Sequence, residues 1–219
     1  MPLQLASLHR SADTDSHEHL CTPRADMNGN LSDEALMQGY ARGNVDAFTE
    51  LYERHKGGLY RYLLRQCSSP DVADELFQET WHVLIRNAPG YRVKARFTTW
   101  LYRIGHHRLI DWYRRQDRAA LTGYGDPGRA VGVEDLVSAA PGQEPETCFG
   151  NERLQVRFAR ALAELPAEQR EVFLLREETG MTLQEMAGVL DCPPETAKSR
   201  LRYATAKLRS RLGDLYESA

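Results

Sequence analysis

The chain has 219 residues, 42% of them hydrophobic and 27% charged, which suits one or two small globular domains. Apolar runs such as Val83-Leu84-Ile85 fall far short of the ~20 residues of a membrane span, and no basic segment with an apolar core opens the chain, so neither membrane insertion nor a secretory signal is expected. Cys21, Cys67, Cys148 and Cys192 lack paired spacing, which excludes a disulfide scaffold or a CxxC metal knuckle and fits a reducing, cytoplasmic compartment.

Residues 1–30 are polar, carry Pro2, Pro23 and three His, and show no sustained periodicity; they are expected to form a mobile arm. Within it His17, His19 and Cys21 alternate without a fourth ligand, a polar tail more than a metal site, so no metal or cofactor is expected. Residues 31–118 are dense in helical pattern. The stretch 31–85 holds nine acids against five bases. Around Pro70 to Arg86, Val72, Leu76, Val83 and Leu84 form an apolar side. Asp74, Glu75, Gln78, Glu79 and His82 fall opposite, with Trp81 and Ile85 at the edge. Such a face is either solvated or docks a basic partner helix.

The sign then reverses: residues 86–118 hold nine Lys/Arg against Asp111 and Asp117. A helix is expected from Phe97, with Phe97, Trp100, Leu101 and Ile104 on its buried stripe and Arg103, His106, His107 and Arg114 on its outer face. Aromatic residues interleave with the bases, as stacking and charge neutralisation of unpaired nucleotides require. Tyr91, Tyr102 and Tyr113 are the expected exposed contacts.

Residues 119–152 are acidic, six acids against Arg129, and rich in Gly and Pro, a composition that breaks helices and strands alike. Helical pattern resumes at Arg153. Thr182-Leu-Gln-Glu185 reads as a capping box, after which Leu183, Met186, Ala187 and Leu190 share one face of a short helix. Asp191-Cys-Pro-Pro194 must break it and start another, whose buried stripe is Ala197, Leu201, Ala204 and Leu208. Two helices joined by a tight turn make a helix-turn-helix, the second able to enter a major groove. On that helix Glu195, Ser199, Arg202 and Tyr203 face outward, and Lys198 and Arg200 flank them where phosphates would lie. The expected fold is all-α: two small helical domains, 31–118 and 153–219, joined by a flexible acidic linker.

These residues resemble a known family. The stretches Leu165-Pro-Ala-Glu-Gln-Arg-Glu-Val-Phe-Leu-Leu-Arg176, Gly180-Met-Thr-Leu-Gln-Glu-Met-Ala187 and Cys192-Pro-Pro-Glu-Thr-Ala-Lys-Ser-Arg-Leu201 resemble the carboxy-terminal domain of bacterial RNA polymerase sigma factors, of the two-domain extracytoplasmic-function (ECF) group. Asp46-Ala-Phe-Thr-Glu-Leu-Tyr52, Asp74-Glu-Leu-Phe-Gln-Glu79 and Phe97-Thr-Thr-Trp-Leu-Tyr-Arg-Ile104 resemble that group's amino-terminal domain. The resemblance makes the two domains sigma regions 2 and 4 of the sigma-70 family. It implies a clamp coiled-coil of core polymerase as the partner of Asp74, Glu75, Gln78 and Glu79, with the polymerase flap as a further contact. It implies that Arg96, Trp100, Arg103, His106 and His107 melt and hold the −10 promoter element. Duplex −35 DNA would be read by Thr196, Lys198, Ser199, Arg200, Arg202 and Tyr203, and the linker would run near the polymerase active-site channel. An anti-sigma factor is a further partner class whose presence the residues leave open.

The sequence departs from the family pattern at three places. Arg92-Val-Lys-Ala-Arg96 lacks the Gly and acidic residue usual before the Phe, His106-His107 replaces Arg-Asn, and Ala197 stands where Val is usual. The His107 imidazole would make promoter opening depend on pH near its ordinary pKa of ~6.5. Two other function classes compete. A stand-alone helix-turn-helix regulator would leave the acidic helix without a role, and no dimerisation helix is evident. An enzyme would need a motif such as a P-loop, HExxH or GxSxG, and none occurs.

Overall fold

The computed structural model describes residues 31–122 and 148–213. The expected arm with His17, His19 and Cys21, and most of the expected linker, lie outside them. Among the described residues eight α-helices follow in order: α1 Asp33–Ala41, α2 Val45–Cys67, α3 Pro70–Asn87, α4 Phe97–Thr122, α5 Cys148–Ala163, α6 Ala167–Thr179, α7 Leu183–Val189 and α8 Pro194–Leu212; a short 3-10 turn, Ala88–Gly90, precedes α4.

Local chemistry sets the boundaries. Asn44 caps α2, its side-chain oxygen accepting the amides of Asp46 and Ala47. Ser68 ends the helix in a left-handed conformation at φ 54°, and Pro70 opens α3 at a position that has no intrahelical amide to lose. The first amide of α4, on Phe97, is taken by the Glu34 carboxylate of α1 at 2.7 Å, so a distant acid supplies both cap and favourable charge at that N-terminus. Gly180 stops α6 at φ 64°, where a side chain would strain the backbone.

Around α2 the first four helices bury Leu51, Leu59, Tyr62, Leu63, Leu76, Leu84, Phe97 and Leu101. An aromatic cluster of Phe48, Tyr52, Phe77 and Trp81 fills the space between α2 and α3, with Trp81 edge-on to Phe48 at 5.7 Å. Trp81, placed at a helix edge by its periodicity, is therefore buried: α2 covers it. The second group, α5 to α8, encloses Leu162, Leu165, Val172, Leu175, Met186, Ala197, Ala204 and Leu208.

The two groups do not stand apart. The described residues from Asp33 onward pack as one unit, and the buried apolar residues of both groups form one continuous core. Its seam is polar. The Tyr62 hydroxyl donates to Glu171 at 2.6 Å, and Arg61 and Arg65 both bind Glu178, at 2.8 and 2.7 Å. Each acid is almost wholly buried, a cost in desolvation that only such paired donors offset.

Candidate nucleic-acid interface

The helix-turn-helix is α7 and α8. Thr182 Oγ1 accepts the Glu185 amide at 3.3 Å while Glu185 Oε2 accepts the Thr182 amide at 2.8 Å, the reciprocal box expected from the sequence. Burial pushes the Glu185 carboxyl up, but the Thr182 amide and hydroxyl and the nearby Arg96 outweigh it and hold it below the ordinary value. Between the helices Asp191 sits at φ 46°, a left-handed position that Asp tolerates better than most residues, and Pro194 then begins α8.

Ala197, Ala204 and Leu208 bury the inner stripe of α8, as its periodicity predicts, whereas Leu201, expected on the same stripe, is half-buried and also lines the outward groove. Lys198, Arg202 and Tyr203 project outward, the Arg202 guanidinium lying 5.0 Å over the Tyr203 ring, which stays 54% exposed. Thr196 and Ser199 are half-buried, and the Ser199 hydroxyl donates to the Thr196 carbonyl. Arg200 turns back to Glu168 of α6. The outward face of α8, with Arg176, Thr182 and Gln184 at its rim, forms an open groove.

On α4 the expected −10 residues divide. Arg103 and His107 are exposed and share one carboxylate: Arg103 reaches Asp191 Oδ1 at 3.1 Å, and His107 Nε2 reaches Oδ2 at 3.2 Å. The His107 hydrogen bond, helped by the Arg103 charge, holds Asp191 below the ordinary carboxylate range against the opposing effect of burial. Arg96 extends to Glu185 at 3.5 Å. Trp100 is half-buried, with Tyr91 and Phe97 at 5.0 and 6.2 Å.

Two expectations for α4 are corrected. His106, read as part of an outer face, is buried, its Nδ1 2.7 Å from Glu171 Oε1. Tyr102, read as an exposed contact, is also buried, packed edge-on to Tyr62 at 5.3 Å. Both lie on the side of α4 that α6 and α2 cover; helical periodicity registers an apolar stripe but not a second, polar burying surface. Tyr91 and Tyr113 are half-buried, and the Tyr113 hydroxyl donates to the Gln66 carbonyl.

On α3, Asp74, Glu75, Gln78 and His82 are exposed and Glu79 is half-buried, so the expected acidic face is open. Sequence reasoning missed the four acids that meet donors on α2, on α4 and in the loop before α4: Glu171, Glu178, Glu185 and Asp191. A signal existed for two of them. Glu171, Leu175 and Glu178 recur at i, i+4, i+7, which puts carboxylates on the stripe of α6 that carries its apolar residues.

Residues 51–119 match the model of sigma-70 region 2, and residues 155–208 match that of sigma-70 region 4. The chain belongs to the sigma-70 family. Among curated relatives, the ECF RNA polymerase sigma-E factor of Escherichia coli K12 is 29% identical over 175 residues, 80% of this chain and 91% of the relative. The ECF RNA polymerase sigma factor SigW of Bacillus subtilis is 26% identical over 178 residues, 80% and 93% of the two chains. The fold is shared with solved structures. CnrH in complex with the cytosolic domain of CnrY has a TM-score of 0.59 at 24% identity, covering 83% of this chain and 97% of CnrH. The sigma factor RpoE of Bartonella quintana, in complex with the anti-sigma factor NepR, has a TM-score of 0.61 at 23% identity, covering 76% and 96%. This sigma factor thus carries region 2 on α2 to α4 and region 4 on α5 to α8, and its resemblance to the ECF group extends over both.

Proposed function

We propose that this ECF sigma factor binds core RNA polymerase through the acidic face of α3, reads the −35 duplex with α8 and holds the opened −10 strand on α4. The observation that carries this is the division of exposed charge. Asp74, Glu75 and Gln78 face solvent on region 2, whereas Lys198, Arg202 and Tyr203 face solvent on the second helix of the helix-turn-helix. The acidic face suits a basic coiled-coil, and the cationic helix suits a major groove.

Thr196, Ser199 and Arg200 belong to the same face, Arg200 after exchanging Glu168 for a phosphate. Arg96, just before α4, and Arg103 on it offer the cations, His107 a ring nitrogen for hydrogen bonding and Trp100 the stacking surface; His106 supports from within. The domains are 31–118 and 153–219, with 119–152 between them and 1–30 ahead. The activity is strand separation by binding, without bond chemistry, in the cytoplasm beside the polymerase. Among the described residues no helix is long and apolar enough to cross a membrane. An anti-sigma factor is a partner class of this fold, since RpoE of Bartonella quintana was solved with one.

The test is a binding titration with bacterial core polymerase followed by run-off transcription on genomic fragments. Core binding with new promoter-specific transcripts is expected, and Glu75→Lys is expected to abolish both while the helical content is unchanged. Arg202→Ala is expected to weaken −35 binding by roughly 1–3 kcal/mol. Unaltered core affinity in Glu75→Lys would remove α3 from the interface.

A further inference from the structure

The first turn of α4 does not cap itself. Its flanking residue is Arg96, whose carbonyl accepts the Trp100 amide at 3.2 Å. The Arg96 side chain has only donors, so it cannot take a free amide at the helix start. The acceptor comes instead from 63 residues away, where the Glu34 carboxylate of α1 takes the Phe97 amide at 2.7 Å. That end of α1 is itself tied to α2. The adjacent Asp33 binds Arg54 at 3.0 Å and His55 at 2.7 Å, and the His55 ring lies 5.2 Å from Phe97. Position 96 is thereby released from capping and carries an outward cation.

The loop before α4 is held at both ends and open between them. Upstream, the Tyr91 amide donates to the Ala88 carbonyl at 3.0 Å, and the Tyr91 ring packs on Trp100 at 5.0 Å. Arg92, Val93, Lys94, Ala95 and Arg96 are then all exposed, and Phe97 is fully buried. Three cations therefore stand on a short arch whose downstream foot is the bond between Phe97 and Glu34. Free amides at a helix start attract phosphate, and Glu34 already occupies one of them, which leaves the arch cations as the place for a strand.

We propose that Glu34 is a positioning residue for −10 recognition, fixing the arch 92–96 from α1 so that it meets the opened strand in one geometry. The inference rests on the −10 reading of α4 given above. Neither Glu34 nor any other residue of α1 is assigned to DNA or to core. An arch already ordered loses less freedom when the strand arrives, and it cannot repack around a wrong base as a loose one can. Glu34 acts through the Phe97 backbone, so its acceptor oxygen matters and its charge is secondary.

The test uses holoenzyme assembled from this chain and bacterial core polymerase. The probes are a promoter fragment recovered by the run-off assay and copies with each −10 and each −35 base replaced in turn. Permanganate reactivity of unpaired thymines reads the open complex. Glu34→Ala is expected to lose about fivefold of the parent's discrimination among −10 bases, the size of effect that one cap carries. Its −35 discrimination, core affinity and helical content are expected to be unchanged. Glu34→Gln keeps an acceptor oxygen and is expected to stay within about twofold of the parent. In the free chain, hydrogen exchange over residues 91–98 is expected to quicken in the Ala variant and not in the Gln variant.

Parental −10 discrimination or parental exchange in Glu34→Ala overturns the proposal, as do equal losses in the Ala and Gln variants. A loss shared by −35 discrimination also overturns it, because that marks a general folding defect. Arg96→Ala separates this proposal from the reading beneath it. If Arg96→Ala loses −10 discrimination and Glu34→Ala does not, the −10 reading stands and the role of Glu34 falls. If neither variant loses it, or the parent opens no promoter, both fall.

Discussion

Removing the Thr182 hydroxyl tests whether the helix-turn-helix depends on its cap. In Thr182→Ala the Glu185 amide loses its acceptor at 3.3 Å, while the Glu185 carboxylate keeps the Thr182 amide at 2.8 Å, so half of the reciprocal box goes. Thr182 is exposed, so water replaces part of the lost bond, and the cost falls near the middle of the capping range, ~1 kcal/mol. Because α7 has only seven residues, little of its own backbone ladder is available to compensate. For a chain of this size ~1 kcal/mol lowers the melting temperature by about 2–4 °C. Thr182→Ser keeps the oxygen and is expected to cost only a few tenths of a kcal/mol. Far-UV circular dichroism melts of parent, Ala and Ser variants give the comparison. Equal losses in the Ala and Ser variants, or no loss in either, would refute the capping argument.

Three other outcomes follow from side chains in and around α2. Burial would raise the Asp33 carboxyl, but His55 at 2.7 Å and Arg54 at 3.0 Å hold it below its ordinary value. The advantage of the parent over Asp33→Asn, roughly 1 kcal/mol, is then complete above the unfolded value of ~3.9 and vanishes as pH falls through the lower folded value. Urea midpoints at pH 7, 4 and 3 measure this, and a constant gap would contradict it. Burial pushes the Cys67 thiol up to about 11, so at pH 8 iodoacetamide is expected to label it at least tenfold more slowly in the folded chain than in urea. Equal rates would show that Cys67 is open to solvent. Tyr62→Phe leaves the buried Glu171 short of a donor and is expected to cost about 2 kcal/mol, but less than half that in a Glu171→Leu background. Urea denaturation of the four chains of this cycle gives the coupling, and equal costs in both backgrounds would break the link between the two residues.

What the sequence made legible was local. The capping box, the proline that opens α8 and the Ala197, Ala204, Leu208 stripe depend on neighbours within a turn or two, and each is found where its spacing put it. The start of α4 was also readable from its apolar pattern, though not the Glu34 that caps it. The seam between regions was not legible. Tyr62 and Glu171 are 109 residues apart, and no periodicity within one helix reports a partner at that distance. His106 and Tyr102 were misplaced for the same reason: their burial is imposed by α2 and α6, not by the pattern of α4. The acids of α6 show the general difficulty, because a carboxylate on a buried stripe looks like noise until its donors are known.

All three tryptophans of the chain, Trp81, Trp100 and Trp112, lie in region 2. They are distributed in depth: Trp81 is locked in the aromatic cluster, whereas Trp100 is half-buried against Tyr91 beside Arg96 and Arg103. Selective excitation of indole therefore reports on region 2 directly and on region 4 only through the seam that α4 shares with it. It also places a native chromophore at the face proposed to hold the −10 strand, so on that reading quenching of Trp100 emission would follow promoter melting on unlabelled protein, with Trp100→Phe as the optical blank.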